Sequence, residues 1–334
     1  MSNKIIFAVP RFSNTGGNSV TLELAKHLEK TTSANILCFS GFSFKKPDEV
    51  WLKNKSKGGV NTALNLVSFL FCSIVAVFSS NYVATHHLTC LLNFVKRADF
   101  GLVQDKEINF YPKFARPIMA FLWRNFLNCN NLIFTSDYLK KEIFPDDCRT
   151  LKAFPFISVA DEYKEYNKDI DVVMCLRDGE YKDPYTTLEV CRKLDAYGFK
   201  VVLVNTSGIR VNQQFVIGGV SRTEFYRLLS RARVFCCLSE WEGLGLPNLE
   251  AYSLGCKIIS TEIPSAKIIS DIDNNAIKLI TKQTDRREGI VEEIMEFLKS
   301  NEKMNTDERA MALEAMNNQW MLYASNIFLE AEWK

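Results

Sequence analysis

The chain has 334 residues, a formal net charge of +2, 47% hydrophobic residues and 24% charged residues. This length predicts two domains, and the near-neutral charge argues against a dedicated nucleic-acid binder, which carries a strong basic excess. The composition excludes disordered and collagen-like classes. Glycine is scarce, with 15 residues, so clusters of glycine are candidate sites.

The first half alternates between apolar runs of strand length and segments with helical periodicity. Helices are predicted at 18–30, 64–78, around 88–97 and 116–127, and Ser136 is predicted to cap the N-terminus of another. Strands are predicted at 4–10, 34–39, 82–85, 100–104 and 132–135.

The segment 64–78 is the longest apolar stretch, with 15 residues, whereas a membrane-spanning helix needs about 20. We interpret it as a buried helix between two strands. The alternative is an interfacial or re-entrant helix, because nearby lysines suit anionic lipid. These are Lys45, Lys46, Lys53, Lys55 and Lys57.

A polar segment at 156–169 is predicted to be a linker, and the alternation then restarts. The pattern Ser221-Arg-Thr-Glu224 is a capping box, and two helical stretches end the chain. Helices are predicted at 184–197 and 247–254. Strands are predicted at 171–176, 200–205, 215–217, 234–238 and 257–260.

Strands that alternate with helices indicate parallel sheets covered on both faces. We therefore predict an α/β protein with two Rossmann-like, doubly wound domains at 1–158 and 170–312. A final helix at 313–334 is expected to pack back on the first domain. Ligands of such sheets bind outside the carboxyl ends of the strands, and the cleft between two domains is the default site.

The first candidate motif is Ser13-Asn14-Thr15-Gly16-Gly17-Asn18, between a strand and a helix. Paired glycines allow a ligand to approach the backbone, and a helix N-terminus favours anions. The motif also fits a tight turn without function. Neither G-x-G-x-x-G nor G-K-[ST] is present at this position, which disfavours dinucleotide binding and P-loop chemistry.

The second motif spans 239–251 and links a predicted strand to a helix that begins near Pro247. Glu242 and Glu250 are spaced so that both carboxylates can border one pocket. Gly243 and Gly245 leave backbone N–H groups accessible to a phosphate or a sugar hydroxyl. This combination is typical of a ligand site rather than an ordinary strand–turn–helix junction.

This motif resembles the E-x7-E region of retaining GT-B glycosyltransferases of family 4, with Leu244 where that family usually has Phe. The resemblance implies that Glu250 binds the ribose hydroxyls of a nucleotide-sugar and that Glu242 lies near the donor sugar. It also implies that the amides of Leu244 and Gly245 bind sugar or phosphate.

Two further segments carry the resemblance. Arg177 and Lys182 have the separation of the family's G-R-x-x-x-x-K, with Leu176 replacing the glycine, and the family's two cations bind the diphosphate. Fixed cations suit a leaving group that gains negative charge. The turn at Gly219 and Val220 is similar to the family's base-binding turn.

In the first half, His86 and Asp105 follow predicted strands, and we interpret both as catalytic cleft residues near the acceptor. The run Gln104-Asp-Lys-Glu107-Ile-Asn-Phe-Tyr-Pro112 resembles, loosely, Q-D-x-E-x-x-F-Y-P segments of rhamnan-type transferases. A pair of histidines at a strand end is also a common structural feature.

The resemblance implies a retaining, metal-independent glycosyltransferase without a cofactor. The implied donor is dTDP-rhamnose or a UDP- or GDP-sugar, and the acceptor a saccharide, lipid-linked, in bacterial O-antigen or capsule synthesis. The expected location is cytoplasmic, with peripheral contact at the inner membrane. The alternative is a non-catalytic sugar-binding protein that retains the fold.

Metal-dependent chemistry has little support in the sequence. The two D-x-D patterns, Asp169-Ile-Asp171 and Asp271-Ile-Asp273, do not follow strands of an N-terminal nucleotide-binding unit. Cysteines and histidines are not grouped at the spacing of zinc ligands. The ten cysteines are scattered, without C-x-x-C, and no signal-peptide pattern opens the chain, so we expect reduced thiols.

Overall fold

The computed structural model describes residues 4–9, 15–40, 43–50, 59–146, 153–156, 159, 163, 167–280, 287–299 and 306–331. It forms two compact units, Met1–Ile157 with Met316–Lys334, and Ser158–Ala315. Several positions named above lie outside the described part: Ser13, Asn14, Lys53, Lys55, Lys57, the last residue of the predicted strand 4–10 and most of the linker.

The first domain contains a six-stranded sheet in the order β3-β2-β1-β4-β5-β6. All neighbouring strands are parallel except β2 and β3, which pair antiparallel. The apolar pattern did not predict β3, a short strand at the edge of the sheet. The strands are β1 (Lys4–Ala8), β2 (Asn35–Ser40), β3 (Ser43–Lys45), β4 (Tyr82–Ala84), β5 (Phe100–Val103) and β6 (Asn131–Phe134).

Helices follow most of these strands, as the periodicity predicted. The N-cap of α4 is Ser136, whose hydroxyl accepts the backbone N–H of Leu139 at 3.2 Å, which confirms that prediction. The helices of this domain are α1 (Gly16–Thr31), α2 (Gly59–Phe78), α3 (Arg116–Leu127) and α4 (Asp137–Ile143).

The prediction of a helix around 88–97 is wrong. A short 3-10 helix spans His87–Cys90, and turns follow it. Side chains from elsewhere satisfy its backbone: Ser73 accepts the N–H of Leu91 at 2.9 Å, and Tyr82 donates its hydroxyl to the carbonyl of Thr89 at 2.8 Å. Because these tertiary partners replace helical hydrogen bonds, local periodicity did not decide the conformation.

The interpretation of 64–78 as a buried helix is wrong for one of its faces. On α2, Cys72 is fully buried, but Leu66 is 62% exposed and Phe78 is 84% exposed. Within the described residues, no helix is both long enough and apolar enough to span a membrane.

The second domain has the sheet order β12-β11-β10-β7-β8-β9, and all pairs are parallel. Numbered within each domain, both sheets have the doubly wound order 3-2-1-4-5-6. Its strands are β7 (Ile170–Leu176), β8 (Val201–Asn205), β9 (Val216–Gly218), β10 (Ala232–Cys237), β11 (Lys257–Ser260) and β12 (Ile277–Leu279).

The helices of this domain pack on a core of aliphatic side chains from the sheet. The capping box of α6 is confirmed: Ser221 accepts the N–H of Glu224 at 3.2 Å, and Glu224 accepts the N–H of Ser221 at 2.7 Å. These helices are α5 (Pro184–Ala196), α6 (Arg222–Arg231), α7 (Leu246–Ser253), α8 (Pro264–Ile272) and α9 (Arg287–Lys299). The sequence pattern did not predict α8 or β12.

The last helix, α10 (Thr306–Glu330), belongs partly to the first unit, which includes the chain from Met316 onward. Trp320 is fully buried there and donates its indole N–H to the carbonyl of Phe134 at 2.8 Å. Phe328 packs 4.3 Å from Phe100, centroid to centroid.

Candidate active site

The site of the second domain forms where its strand order reverses. Strands β7 and β10 are sequence-distant neighbours in the sheet, with Met174 opposite Cys236. Their carboxyl ends therefore lie side by side, and the chain that leaves β7 begins with Arg177, while the chain that leaves β10 leads to Ser239 and Glu242. This is the position at which open α/β sheets bind ligands.

A small pocket, partly open to solvent, lies at these strand ends. It contains four of the residues predicted from the sequence, Arg177, Lys182, Glu242 and Gly245. Its other lining residues are Cys175, Phe235, Cys236, Cys237, Leu238, Ser239, Pro247 and Asn248.

Glu242 is held by two cations in this pocket. Its Oε1 lies 3.2 Å from Nη1 of Arg177, and its Oε2 lies 2.6 Å from Nζ of Lys182. Ser239 donates its hydroxyl to the same Oε1 at 2.9 Å. The side chains of Lys182 and Glu242 are each only 10% exposed. The cluster therefore pairs two positive charges with one negative charge.

These contacts determine the ionisation of the cluster. Burial alone would raise the pKa of Glu242, but Arg177 and Lys182 outweigh burial, and the pKa lies below its ordinary value. Burial would lower the pKa of Arg177, but the Glu242 carboxylate outweighs it and raises this pKa. The carboxylate and the guanidinium are both charged at neutral pH.

Aromatic stacking positions Lys182. The rings of Tyr181 and Trp241 stack with centroids 4.1 Å apart, and Nζ of Lys182 lies 4.6 Å from the Tyr181 centroid. The N–H of Glu240 donates to the carbonyl of Tyr181 at 2.6 Å. Gly179 adopts φ +109°, which a residue with a side chain rarely does. The loop is therefore tied to the segment after β10 that carries Glu242.

The glycine turn before α7 is closely packed. Gly245 has φ +90°, and a Cβ there would overlap Oγ of Ser265 and approach Cδ1 of Ile263 to 2.9 Å. The carbonyls of Leu244 and Gly245 accept the N–H groups of Ser265 and Asn248 at 2.8 and 3.1 Å. The turn is thus fixed by the residues around it.

Asn248 is a pocket residue that sequence reasoning missed. It is 1% exposed, and its Nδ2 donates to Oγ of Ser260 at 3.0 Å, whereas its Oδ1 has no hydrogen-bond partner among the described residues. A buried acceptor without a partner is costly, and a donor from a ligand or a water would satisfy it.

Glu250 belongs to a second cluster and does not line this pocket. Its Oε1 accepts from Nη2 of Arg222 at 2.5 Å and from the hydroxyl of Tyr226 at 3.2 Å. Arg222 begins α6, directly after the turn that contains Gly219, with φ +70°, and Val220. The two predicted glutamates therefore hold different partners, although both belong to one motif.

Three residues of these clusters were not predicted: Ser239, Arg222 and Tyr226. Ser239 opens the motif that contains Glu242, Arg222 follows the Gly219 turn, and Tyr226 lies one helical turn after Arg222. The available signal was an i, i+4 pair of polar side chains directly after the predicted base-binding turn.

The strand ends of the first domain bring the glycine motif next to β5. Gly16 is exposed, and a Cβ on Gly17 would lie 3.0 Å from Oε1 of Gln104. Gln104 donates its Nε2 to Thr21 at 3.2 Å and to the carbonyl of Thr85 at 3.4 Å. Within the protein itself, the glycine thus makes room for the Gln104 side chain.

Two histidines end β4 in a buried cluster. Glu107 is 3% exposed and accepts from Nδ1 of His87 at 2.5 Å and from its backbone N–H at 2.8 Å. Nε2 of His87 forms a hydrogen bond with the hydroxyl of Tyr111 at 3.1 Å. Glu107 and Tyr111 are the acid and the tyrosine of the Q-D-x-E-x-x-F-Y-P segment, so His87 connects them.

The two predicted cleft residues of this domain differ in environment. Burial lowers the pKa of His86 to about 4, against a smaller opposing effect of Glu107, so this imidazole is neutral at pH 7. Its Nδ1 accepts the N–H of Leu88 at 3.1 Å. Asp105 is partly exposed and accepts the N–H of Lys106 at 2.8 Å.

Among the described residues, His86, His87 and Glu107 bring three potential metal ligands together. The hydrogen bonds above already use Nδ1 of both histidines and the Glu107 carboxylate. A metal at these atoms would have to displace a backbone N–H and the His87–Glu107 hydrogen bond, so the arrangement fits a hydrogen-bonded cluster better than a metal centre.

Comparison with known proteins agrees with this geometry. Residues 159–312, which include both clusters of the second domain, match the family model of the glycosyl transferases group 1. No curated protein is significantly similar to the chain in sequence.

Solved structures share the fold of the whole chain. HepE of Anabaena, in complex with UDP-glucose, has a TM-score of 0.64 at 11% identity, over 97% of this chain and 99% of its own. Sucrose-phosphate synthase of Thermosynechococcus elongatus has a TM-score of 0.66 at 14% identity, with 98% and 100% covered. WaaG, a glycosyltransferase involved in lipopolysaccharide biosynthesis, has a TM-score of 0.61 at 13% identity, with 96% and 95% covered.

The fold and the family match together define a class. The protein is a glycosyltransferase with the GT-B fold, built from two Rossmann-like domains. The match to the group 1 family model lies in the second domain, which also contains the pocket lined by Arg177 and Lys182.

Proposed function

We propose that the protein transfers a sugar from a nucleotide-diphosphate donor to a saccharide acceptor, with retention of configuration and without a metal ion. The observation that carries the proposal is the surplus of positive charge in the pocket, where Arg177 and Lys182 share the single carboxylate of Glu242. A diphosphate would supply the missing negative charge and compete with Glu242 for these cations.

In the proposed reaction, the bond between the anomeric carbon and the phosphate oxygen breaks while the acceptor oxygen bonds to the same face of that carbon. The electron pair leaves with the diphosphate, and Arg177 and Lys182 stabilise the charge that develops there. The acceptor hydroxyl gives its proton to the leaving phosphate oxygen. No enzyme nucleophile is required, and the two cations supply the charge that a divalent ion supplies in metal-dependent transferases.

Each of the other predicted residues has a separate proposed role. Glu250 binds the ribose, and the backbone of Gly219 and Val220 contacts the base. Glu242, when a diphosphate takes its cations, is available to the donor sugar. The amides of Gly243, Leu244 and Gly245 contribute to the same site. On the first domain, the amides of Gly16 and Gly17 offer hydrogen bonds to an anionic group of the donor, and His86 and Asp105 serve the acceptor side.

For the donor and the pathway, we propose a class rather than a single compound. HepE binds UDP-glucose and WaaG acts in lipopolysaccharide biosynthesis, and these neighbours support a nucleotide-sugar and a surface-polysaccharide pathway. UDP-, GDP- and dTDP-sugars, including dTDP-rhamnose, are the donors to compare. We propose that the acceptor is lipid-linked and that the protein works at the cytoplasmic face of a membrane.

The test compares nucleoside diphosphates with monophosphates. We expect UDP, GDP or dTDP to raise the melting temperature of the wild type more than the matching monophosphate does, with or without EDTA. A ligand at a hundred times its Kd adds about 2.7 kcal/mol of stability. In Lys182→Ala this difference should disappear, whereas Lys193→Ala, which removes a partly exposed lysine that does not line the pocket, should retain it.

Turnover completes the test. The nucleotide-sugar that stabilises best is incubated with saccharide acceptors, and the anomeric configuration of the product is read by NMR. Retention is expected. Equal stabilisation by mono- and diphosphates in the wild type, or an inverted product, would contradict the proposal.

A further inference from the structure

The first domain exposes an unusual amount of apolar surface in one part of the chain. Of the 19 large hydrophobic side chains that are exposed among the described residues, 12 fall within residues 66–121. Monomeric soluble proteins rarely leave large contiguous apolar patches open to water. The concentration of these side chains therefore indicates a surface with a binding role.

On α2 the exposed residues form a stripe. Leu66, Leu70, Ile74 and Phe78 are spaced four residues apart and are 62%, 49%, 36% and 84% exposed. Residues at this spacing lie on one face of a helix. The opposite face is buried, with Cys72 fully enclosed, so α2 lies on the domain with an apolar outer face.

The turn that follows the 3-10 helix His87–Cys90 and the approach to α3 extend this exposure. Phe94 is 69% exposed in the turn. Phe114 is 87% exposed just before α3, and Phe121 is 63% exposed on α3. Both α2 and α3 pack against the His87–Cys90 helix. The exposed side chains thus belong to neighbouring elements, which we call the α2–α3 surface.

Among residues 66–127 every fully exposed charged residue is a cation, whereas the acidic residues Asp99, Asp105 and Glu107 are partly or completely buried. Residues 66–98 contain Lys96 and Arg97 and no Asp or Glu, and residues 108–127 contain Lys113, Arg116 and Arg124 and no Asp or Glu. All five cations are exposed residues. Large apolar side chains interspersed with Lys and Arg suit the interface of an anionic membrane, where the rings enter the headgroup region and the cations meet lipid phosphates.

We infer that the α2–α3 surface binds anionic phospholipid membranes and holds the first domain on the bilayer without spanning it. A second copy of the chain fits less well, because a symmetric interface would place this basic patch against itself. The inference deepens the proposed use of a lipid-linked acceptor and names its partner, but the binding itself does not require the proposed reaction.

The experiment is vesicle flotation of the full-length protein. Vesicles of phosphatidylcholine alone are compared with vesicles that contain phosphatidylglycerol, at low and high salt. We expect at least about tenfold stronger partitioning onto the anionic vesicles, weakened by salt. Phe114→Ser with Phe121→Ser should lower binding at least about tenfold, because two exposed rings are lost.

The control variants distinguish loss of the α2–α3 surface from loss of folding stability. Leu322→Ser with Leu329→Ser removes two exposed leucines of α10, 61% and 57% exposed, outside the α2–α3 surface, and should leave binding unchanged. Lys113→Glu with Arg116→Glu reverses two exposed positive charges while all the exposed aromatic rings remain, and it should abolish the preference for anionic vesicles. Melting temperature and its increase with nucleotide, measured for every variant, report folding and the donor site independently.

Three outcomes would overturn the inference. The wild type would fail to float with anionic vesicles, the ring variant would bind as the wild type does, or the wild type would be a dimer in solution that Phe114→Ser with Phe121→Ser converts to a monomer. In each case the nucleotide measurements still decide the proposed glycosyl transfer separately.

Discussion

The two domains have the same strand order but place different chemistry at the ends of their strands. In the second domain, Arg177, Lys182 and Glu242 form a charged cluster that lines an open pocket. In the first, His87 and Glu107 are almost completely buried and bonded to each other. The fold thus supplies the location of a site in both domains, whereas the residues decide whether it is built for an anion.

The comparison extends to two buried carboxylates. The pKa values of Glu242 and Glu107 both lie below the ordinary value, although burial opposes this in each case. Arg177 and Lys182 are responsible in the second domain, and His86 and His87 in the first. A carboxylate held by permanent cations can exchange them for a phosphate, whereas one held by imidazole hydrogen bonds stays enclosed. The difference indicates a carboxylate that an anionic ligand can displace in the second domain and an enclosed hydrogen-bonded carboxylate in the first.

The largest expected effect comes from removing a pocket cation. Lys182→Ala should lower the rate of sugar transfer by about a hundredfold to a thousandfold, because a fixed donor to the leaving group is lost. The measurement is kcat with the best donor, together with the melting temperature to establish folding. Lys193→Ala, whose partner Glu288 is 85% exposed, is the matched control and should act like the wild type. Comparable kcat values for Lys182→Ala and Lys193→Ala would contradict the view that the charged cluster of the second domain binds the leaving group.

A smaller effect is expected at the second cluster of the same domain. Glu250→Gln should raise the KM for the donor about tenfold to a hundredfold with less effect on kcat, since a charged hydrogen bond to the ribose is weakened. Steady-state kinetics over a range of donor concentrations measure the two parameters. Glu288→Gln serves as the control. A fall in kcat alone would assign Glu250 to the reacting centre instead.

The packed turn before α7 should be sensitive to a single methyl group. Gly245→Ala is expected to destabilise the protein by about 2 kcal/mol, because φ is +90° and the Cβ would overlap Ser265. Denaturant unfolding measures this cost. Gly198→Ala, with φ +84° and no atom within 4 Å of its Cβ, should cost less, about 1 kcal/mol. Equal losses would show that backbone strain, rather than packing, decides stability there.

The smallest effect concerns the first domain and pH. The pKa of His86 is about 4 in the folded protein, below the ordinary histidine value of 6.5 that applies to the unfolded chain. As the pH falls from 6.5 to 4, the unfolded chain takes up a proton that the folded protein does not, so stability falls, and below 4 this loss ends. We expect a contribution of about 1–2 kcal/mol, because the imidazole is partly accessible.

His86→Gln removes this titration. Its free energy of unfolding should depend less on pH between 6.5 and 4 than that of the wild type, while at pH 8 any difference between the two proteins is independent of protonation. Urea unfolding at a series of pH values measures both. Parallel curves for the two proteins across this range would show that His86 is not held neutral by its surroundings.

Elements with strong local signals were predicted well. The α3 helix has the bounds predicted from its periodicity, and β11 those predicted from its apolar run. Where local signals were weak or tertiary partners took over, prediction failed. The short edge strand β3 is only three residues long, and the segment after His87 takes its hydrogen bonds from Ser73 and Tyr82.

The sequence by itself determined the alternation of strands and helices and the group of residues at 239–250, because these depend on neighbours within a few positions along the chain. Only the tertiary structure decided that Arg177 meets Glu242 across 65 residues, while Arg222 meets Glu250 across 28. It likewise decided that His87 meets Glu107 across 20 residues. Strand order brings these charges together, and no local pattern encodes which sequence-distant strands become neighbours in the sheet.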